Sequence, residues 1–182
     1  IPVFPFLIDK LGASGSALGL LIATAALTEF LFGPIWGSVS DRVGRKPIMM
    51  IGMFGFALSM FLFGLADQIW MLITFRGLSG VLSSATISTT MAYIGDSTSE
   101  KARGGGMGLL GAVAGAGTVI GPGIGGLLAG GSLSTPFFVS ALMAFLSLLL
   151  VALFLPESLP IEARAVQEKK SNSFALMNYG AR

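Results

Sequence analysis

The sequence predicts an all-α protein that crosses a membrane several times. Of its 182 residues, 53% are hydrophobic and only 11% are charged, with a mean hydropathy of +0.84. An ordinary soluble domain carries roughly 25% charged residues. Long charge-free stretches alternate with short charged segments, which is the pattern of apolar spans joined by polar loops. A disordered chain is also excluded, because disorder requires low hydrophobicity and high charge.

Five stretches are long enough to cross the hydrocarbon core as helices, each crossing needing about 20 residues. Glu29 is the one charge in the first stretch, the second has none, and Arg76 interrupts the third. The charge-free run from Gly104 through Pro156 is too long for one crossing, and the Gly- and Ser-rich segment before Pro136 predicts a break. The expected helices lie at about 16–39, 48–66, 70–95, 106–130 and 136–155.

The two ends of the chain differ from these spans. Residues 1–8 are apolar but too short to cross, and we expect them to be the outer end of a truncated helix. Residues 158–182 are rich in charged and polar side chains and predict the start of a solvated cytoplasmic linker. Residues 1–157 are therefore predicted to form an N-terminal six-helix transmembrane bundle, with its first helix truncated, within a larger protein.

Positive charges fix the expected orientation of the spans. All but two of the eleven Lys and Arg residues fall on one side of the predicted membrane, in loops 40–47 and 96–103 and in the C-terminal tail. Cytoplasmic loops carry the positive excess. These loops and the tail are thus predicted to be cytoplasmic, in a multi-pass protein of the cell (plasma or inner) membrane.

Several function classes lack their chemical groups in this chain. It contains no Cys and no His, which removes thiolate nucleophiles, the commonest metal ligand and the usual general base. We therefore expect no metal and no cofactor. No nucleophile, base and orienting group converge in the pattern, so an enzyme is disfavoured. A nucleic-acid partner is excluded by the absence of a dense basic face.

The first of three motifs is the loop between the first two spans, where residues 37–46 read GSVSDRVGRK. An ordinary positive-inside loop with a glycine turn is one interpretation. It leaves Asp41 and Gly37 unexplained. Gly37 lets another helix come close, and Gly44 permits a positive φ at the turn.

The spacing of this motif resembles the signature between the second and third helices of the major facilitator superfamily of secondary transporters. The resemblance implies that Asp41 and Arg45 form a charge latch with a helix of the other half and with an acid that ends the fourth helix. Asp96 stands at that place, at the end of the span that begins at Trp70. The predicted latch residues are Gly37, Asp41, Arg42, Gly44, Arg45, Lys46 and Asp96.

Arg76 is the second feature, because an arginine about two turns inside a span is costly. On a helical wheel, four hydroxyl side chains fall within about 80° of it: Ser79, Ser83, Thr86 and Thr90. Lipid offers such groups no partners, so we expect a water-filled cavity in which Arg76 tunes a neighbouring carboxylate's proton affinity. Snorkelling to the headgroups is the alternative. Arg76 also resembles the arginine of the superfamily's fourth-helix motif, with Leu72 and Gly80 at the flanking positions.

Glu29 lies near the middle of its predicted helix. An acid at that depth is a functional-site hypothesis by default. It could carry a proton, being protonated in lipid-like surroundings and ionised when it faces a cavity. The alternative is a protonated or hydrogen-bonded acid that packs against a neighbouring helix.

The third motif is glycine-rich, and its defining residues are Gly108, Gly117, Gly121, Pro122, Gly125 and Gly126. Small residues four apart form a groove for a second helix, and a proline removes a backbone donor and bends the helix. Ordinary helix packing would also explain a groove. The full pattern resembles the fifth-helix signature of superfamily antiporters that export drugs in exchange for protons, where this helix lies between the two halves.

The resemblance implies an N-terminal half of a twelve-helix drug:proton antiporter. The expected function is proton-coupled efflux of drugs or other small lipophilic compounds by alternating access. The expected partners are the lipid bilayer, protons, a small-molecule substrate and the C-terminal half of the same transporter. An uptake carrier for a sugar or metabolite, and a non-transporting scaffold or sensor of the same fold, are the alternatives.

Overall fold

The structure, a computed structural model, describes residues 15–160 together with residues 6, 8 and 12. Across these residues it contains five helices and no strand: α1 Gly15–Val43, α2 Arg45–Leu65, α3 Ile69–Ser97, α4 Glu100–Ala129 and α5 Thr135–Phe154. The all-α prediction is confirmed. The segment expected as a truncated helix, 1–8, lies almost wholly outside the described residues, and of the expected linker only 158–160 is described.

The helices are longer than the apolar stretches because they continue into the charged segments. The segment 40–47, expected as a loop, is helical except at Gly44, and α4 begins at Glu100 within the expected loop 96–103. Hydropathy marks only the part of a helix that suits hydrocarbon, whereas the backbone ladder continues wherever the polar side chains find partners. Pro136 lies in the first turn of α5, where its missing N–H leaves no bond unmade.

α3 is the central helix of the described bundle. It packs extensively against α1 on one side and α2 on the other, and α2 packs in turn against α5. α4 makes few contacts in the described part of the chain, mainly with α3 and α5. We call the end of the bundle where α1, α3 and α5 finish the latch end.

Glycines and cross-helix hydrogen bonds bring α3 close to its neighbours. A Cβ at Gly52 would collide with the backbone of Thr86, and one at Gly80 would collide with Thr28 of α1. Trp36 of α1 donates its indole N–H to the carbonyl oxygen of Val81, 2.6 Å away. Close backbone approach of this kind is how helices gain van der Waals contact in lipid, where no hydrophobic force draws them together.

Aromatic rings fill the end of the bundle opposite the latch end. Phe63 of α2 stacks on Phe137 of α5 with ring centroids 5.7 Å apart, and Leu21 and Leu72 complete a buried cluster. Large apolar side chains elsewhere, such as Phe30, point outward and are exposed. An outward apolar surface of this extent suits lipid and not water.

Four of the five helices, α1, α2, α4 and α5, are long and apolar enough to cross a membrane by length and composition. α3 has 29 residues, ample for a crossing, but it carries Arg76 and many hydroxyl side chains. Its position between α1 and α2 agrees with this composition, because Ser79, Ser84 and Thr89 are buried among the helices and are withheld from lipid.

The close approach of α3 to α1 gives a stability prediction. Gly80→Ala places a methyl group against Thr28 and the carbonyl oxygen of Ala25, and we expect it to lower the free energy of unfolding by about 1–3 kcal/mol, the usual cost of overpacking. Gly95→Ala, on the same helix with nothing within 4 Å, is the matched control and should be neutral or slightly stabilising. Thermal unfolding of the full-length protein in detergent measures both, and equal stability of the two variants would contradict this packing.

Candidate functional site

A single glycine forms the turn between α1 and α2. Gly44 has φ 122° and ψ 157°, a backbone conformation that is essentially restricted to glycine. Its N–H donates to the carbonyl oxygen of Ser40, 3.0 Å away. The chain therefore reverses within one residue, and Arg45 opens α2 directly beside the end of α1.

Arg45 is the centre of the latch end. Its side chain is 7% exposed and forms ion pairs with Asp41 of α1 and Asp96 of α3. The distance from Nε to the Asp96 Oδ2 is 2.8 Å, and Nη1 also donates to Ser40 Oγ over 2.7 Å. One guanidinium on α2 thus links the adjoining ends of α1 and α3.

The two carboxylates balance a charge that is costly to bury. Their side chains are about one-third exposed, whereas the guanidinium is almost fully buried. Removing one partner of a buried charge pair is strongly destabilising because the remaining charge is left in a low dielectric. Asp96 was predicted at this cluster from the family resemblance, and the structure places its Oδ2 2.8 Å from Arg45 Nε.

The structure adds Glu157, which the sequence analysis did not select. Its Oε1 accepts from the N–H of Arg45 over 2.9 Å, and its Oε2 from the N–H of Lys46 over 3.3 Å. Lys46 Nζ donates in return to the carbonyl oxygen of Ala152, 2.8 Å away near the end of α5. The sequence signal was present: Gly44 has no side chain to cap α2, so its first N–H groups need an acceptor from elsewhere.

Gly37 and Arg42, two other predicted latch residues, lie at the same end, and the carbonyl oxygen of Gly37 accepts from Ser40 Oγ over 2.8 Å. Gly37 is partly buried on α1, with open space where a Cβ would stand. Arg42 is exposed in the last turn of α1. Nearby, Arg103 of α4 donates to the carbonyl oxygen of Gly95 over 2.9 Å, a favourable contact for a cation at a helix C-terminus.

Arg76 of α3 and Glu29 of α1 lie on two helices that pack against each other. Arg76 is partly buried and Glu29 is exposed in the described bundle, and the carboxylate is near enough for its charge to act on the guanidinium. The role expected for Arg76 beside a carboxylate remains a prediction. The exposure of Glu29 shows that helices of this bundle do not enclose it.

The hydroxyl stripe predicted below Arg76 does not form one uniform surface. Ser79 is buried, and Thr86 turns a buried hydroxyl toward Gly52 of α2 without a hydrogen-bond partner among the described residues. Ser83 and Thr90 are partly exposed. A face 80° wide on a wheel at about 100° per residue is wide enough to include both an interhelical seam and an open side.

The glycine-rich helix α4 is open along its length. It has no buried residue in the described structure. A Cβ would meet nothing within 4 Å at four of the motif positions, namely Gly108, Gly117, Gly121 and Gly126. Pro122 is exposed within the helix. The small residues predicted to form a groove therefore lie on an open face of α4, and no described helix packs against these four glycines.

An apolar helical bundle with an ion-pair cluster at one end, and with an acid and an arginine within its spans, is the architecture of an integral membrane protein. The Major Facilitator Superfamily model matches residues 1–178, so the chain belongs to that superfamily. It is accordingly a transporter polypeptide and not an enzyme.

Curated relatives agree with this assignment. The chain is 39% identical over 157 residues to multidrug resistance protein 1 of Bacillus subtilis (strain 168). This match covers 86% of the chain and 40% of that relative. It is 35% identical over 161 residues to tetracycline resistance protein, class B, of Escherichia coli, covering 87% of the chain and 40% of the relative. The chain thus spans about two-fifths of the length of these proteins.

A solved structure gives the same fold. The crystal structure of the human organic anion transporter MFSD10 (TETRAN) matches with a TM-score of 0.74 and 29% sequence identity, over 88% of this chain and 38% of that one. The predicted membership of the superfamily is confirmed.

The turn at Gly44 gives a second prediction. Gly44→Ala forces a Cβ into a conformation that costs about 1–3 kcal/mol for other residues, and we expect thermal stability in detergent to fall accordingly. Gly104→Ala, at an exposed helical position with open space, is the control. If both variants unfold at the same temperature, the backbone at residue 44 is not constrained as described.

Proposed function

We propose that the transporter to which this chain belongs exports drugs or other small lipophilic compounds in exchange for protons, by alternating access in the cell membrane. The observation that carries the proposal is the bridge from Arg45 to both Asp41 and Asp96, in a chain similar to multidrug and tetracycline resistance proteins. Such a bridge gives one conformation a discrete set of contacts that another conformation has to break, which is what a two-state carrier requires.

The latch end is the cytoplasmic side in this proposal. Five cations lie in the helix ends on that side, namely Arg42, Arg45, Lys46, Lys101 and Arg103. Cytoplasmic segments next to spans carry the positive excess. The latch then holds the cytoplasmic side of this half in one arrangement. Its release accompanies the opening of the substrate path toward the cytoplasm.

The proposed partner of the open α4 groove is the second half of the same transporter. The chain spans about two-fifths of its relatives, and α4 leaves its small residues without contacts in the described bundle. A groove of this kind lets two helix backbones come close enough to exclude lipid and water. Sealing of this interface is the role we assign to Gly117, Gly121 and Pro122.

Glu29 and Arg76 are the proposed proton-coupling pair. Glu29 is exposed toward the unfilled side of the bundle and lies within electrostatic range of the arginine. In this proposal Glu29 binds a proton in one conformation and releases it in the other, which couples protonation to the transport cycle.

The decisive experiment is efflux of a fluorescent lipophilic cation from cells that express the full-length transporter, with and without a protonophore. We expect retention of dye to fall on expression and to return to the vector level when the protonophore collapses the proton gradient. Efflux that ignores the protonophore would disprove proton coupling. Inward accumulation of a sugar or metabolite would favour an uptake carrier, and no transport of any kind would favour a scaffold or sensor.

Glu29 provides a separate prediction. Glu29→Gln keeps the shape of the side chain but cannot release a proton, so we expect slow efflux whose rate no longer varies with pH. Glu100→Gln, an exposed acid in the first turn of α4, is the matched control and should retain the wild-type pH profile. Unchanged pH dependence in the Glu29 variant would remove it as the proton carrier.

A further inference from the structure

The latch end contains a second set of contacts besides the ion pairs, and these join α5 to α2. Glu157 follows α5 and accepts from the first two N–H groups of α2, while Lys46 in α2 donates to the carbonyl oxygen of Ala152 in the last turn of α5. At each of the two helix ends, a side chain from the other segment therefore forms hydrogen bonds with backbone groups. The charges are favourable at both, since an anion stabilises a helix N-terminus and a cation a helix C-terminus.

This arrangement compensates for an unfavourable start of α2. Two cations, Arg45 and Lys46, stand in the first turn, where the helix dipole disfavours positive charge. Gly44 supplies no side-chain cap. The Glu157 carboxylate offsets both defects, because it accepts two orphan backbone protons and adds a negative charge at that end.

Glu157 contacts the latch through the backbone N–H group that donates to it. The N–H that donates to its Oε1 belongs to Arg45, the residue whose guanidinium reaches Asp41 and Asp96. Fixing that peptide fixes the point from which the side chain extends. The same carboxylate also accepts from Leu159 N–H over 3.1 Å, and Leu159 is buried, so the segment that follows α5 is itself anchored.

We propose that Glu157 is a positioning residue of the latch, which acts through the backbone of Arg45. It makes the segment 156–159 a part of the latch, so that the ion pairs to α1 and α3 and the exit of the chain from α5 loosen together. The proposal rests on the proposed transport function only for its consequence on efflux. Its structural part stands apart from that function.

Hydrogen–deuterium exchange on the purified full-length protein tests the structural part. In Glu157→Gln, an amide N–H₂ group replaces one acceptor oxygen, and we expect exchange in 44–47 to rise about tenfold or more, as for loss of a hydrogen bond to a charged group. Exchange in 94–98, around Asp96, should rise as well, and Arg45→Ala should reproduce that second rise. Glu100→Gln should leave both regions at the wild-type level.

A merely local cap would behave differently. If Glu157→Gln raises exchange in 44–47 and leaves 94–98 unchanged, the positioning role is overturned. Tyr93 donates to the carbonyl oxygen of Pro156 over 3.0 Å, which is a second route to α3. If Tyr93→Phe alone reproduces the whole rise in 94–98, the route through Arg45 is wrong. Should the Gln variant not fold, Glu157→Asp, with its charge kept and its reach shortened, is expected to give the same two rises.

Efflux supplies the functional part as a double-mutant cycle. We expect Glu157→Gln and Asp96→Asn each to slow efflux several-fold, and the double variant to be no slower than the slower single one, because both loosen the same bridge. Additive losses would show independent roles and contradict the proposal. If the wild-type protein exports nothing, the proposed function fails while the exchange result still decides the positioning role.

Discussion

The guanidinium of Arg45 sets the arrangement of the latch end, because a buried charge has to keep its partners. Helix packing in lipid has no hydrophobic driving force and consists of many weak contacts, so helices can shift against one another at small cost. A nearly buried arginine is different, since losing one carboxylate leaves an uncompensated charge. Asp41 and Asp96 belong to different helices, and the glycine turn delivers Arg45 between them. Breaking this cluster therefore carries a cost that the weak packing contacts do not.

Elsewhere in the described bundle, most hydroxyl side chains form hydrogen bonds within their own helix and not between helices. Thr28, Ser59, Ser84 and Ser140 each donate to a carbonyl oxygen three or four residues earlier in their own helix. Such bonds satisfy a hydroxyl inside the membrane without tying it to a neighbour. Most hydroxyl groups of the described spans are satisfied in this way, and the buried hydroxyls of Thr86 and Thr89 are the exceptions. The ion pairs that join helices in the described part of the chain lie at the latch end.

The sequence predicted the elements that depend on local pattern. Charge-free runs indicated the spans, and the glycine between two cations indicated the turn at residue 44. The pairing of Arg45 with Asp96 came from a resemblance, because periodicity alone does not say which helix ends meet. Glu157 was not predicted because its partners in α2 lie more than a hundred residues earlier in the chain. An acid after an apolar span is also typical of a solvated segment. The seam that buries Thr86 depends on how α2 and α3 cross, which a helical wheel does not contain.

The open face of α4 follows from the same forces. A groove of small residues stabilises a membrane protein only when another backbone enters it, since lipid chains fill a narrow groove poorly and the glycines weaken the helix itself. α4 retains such a groove while contributing no buried residue to the described bundle. The cost of its glycines is therefore offset outside this bundle, at the interface where we place the second half. In the proposed function the two features have separate roles, because the ion pairs at the latch end would select a conformation and the α4 interface would prevent leakage.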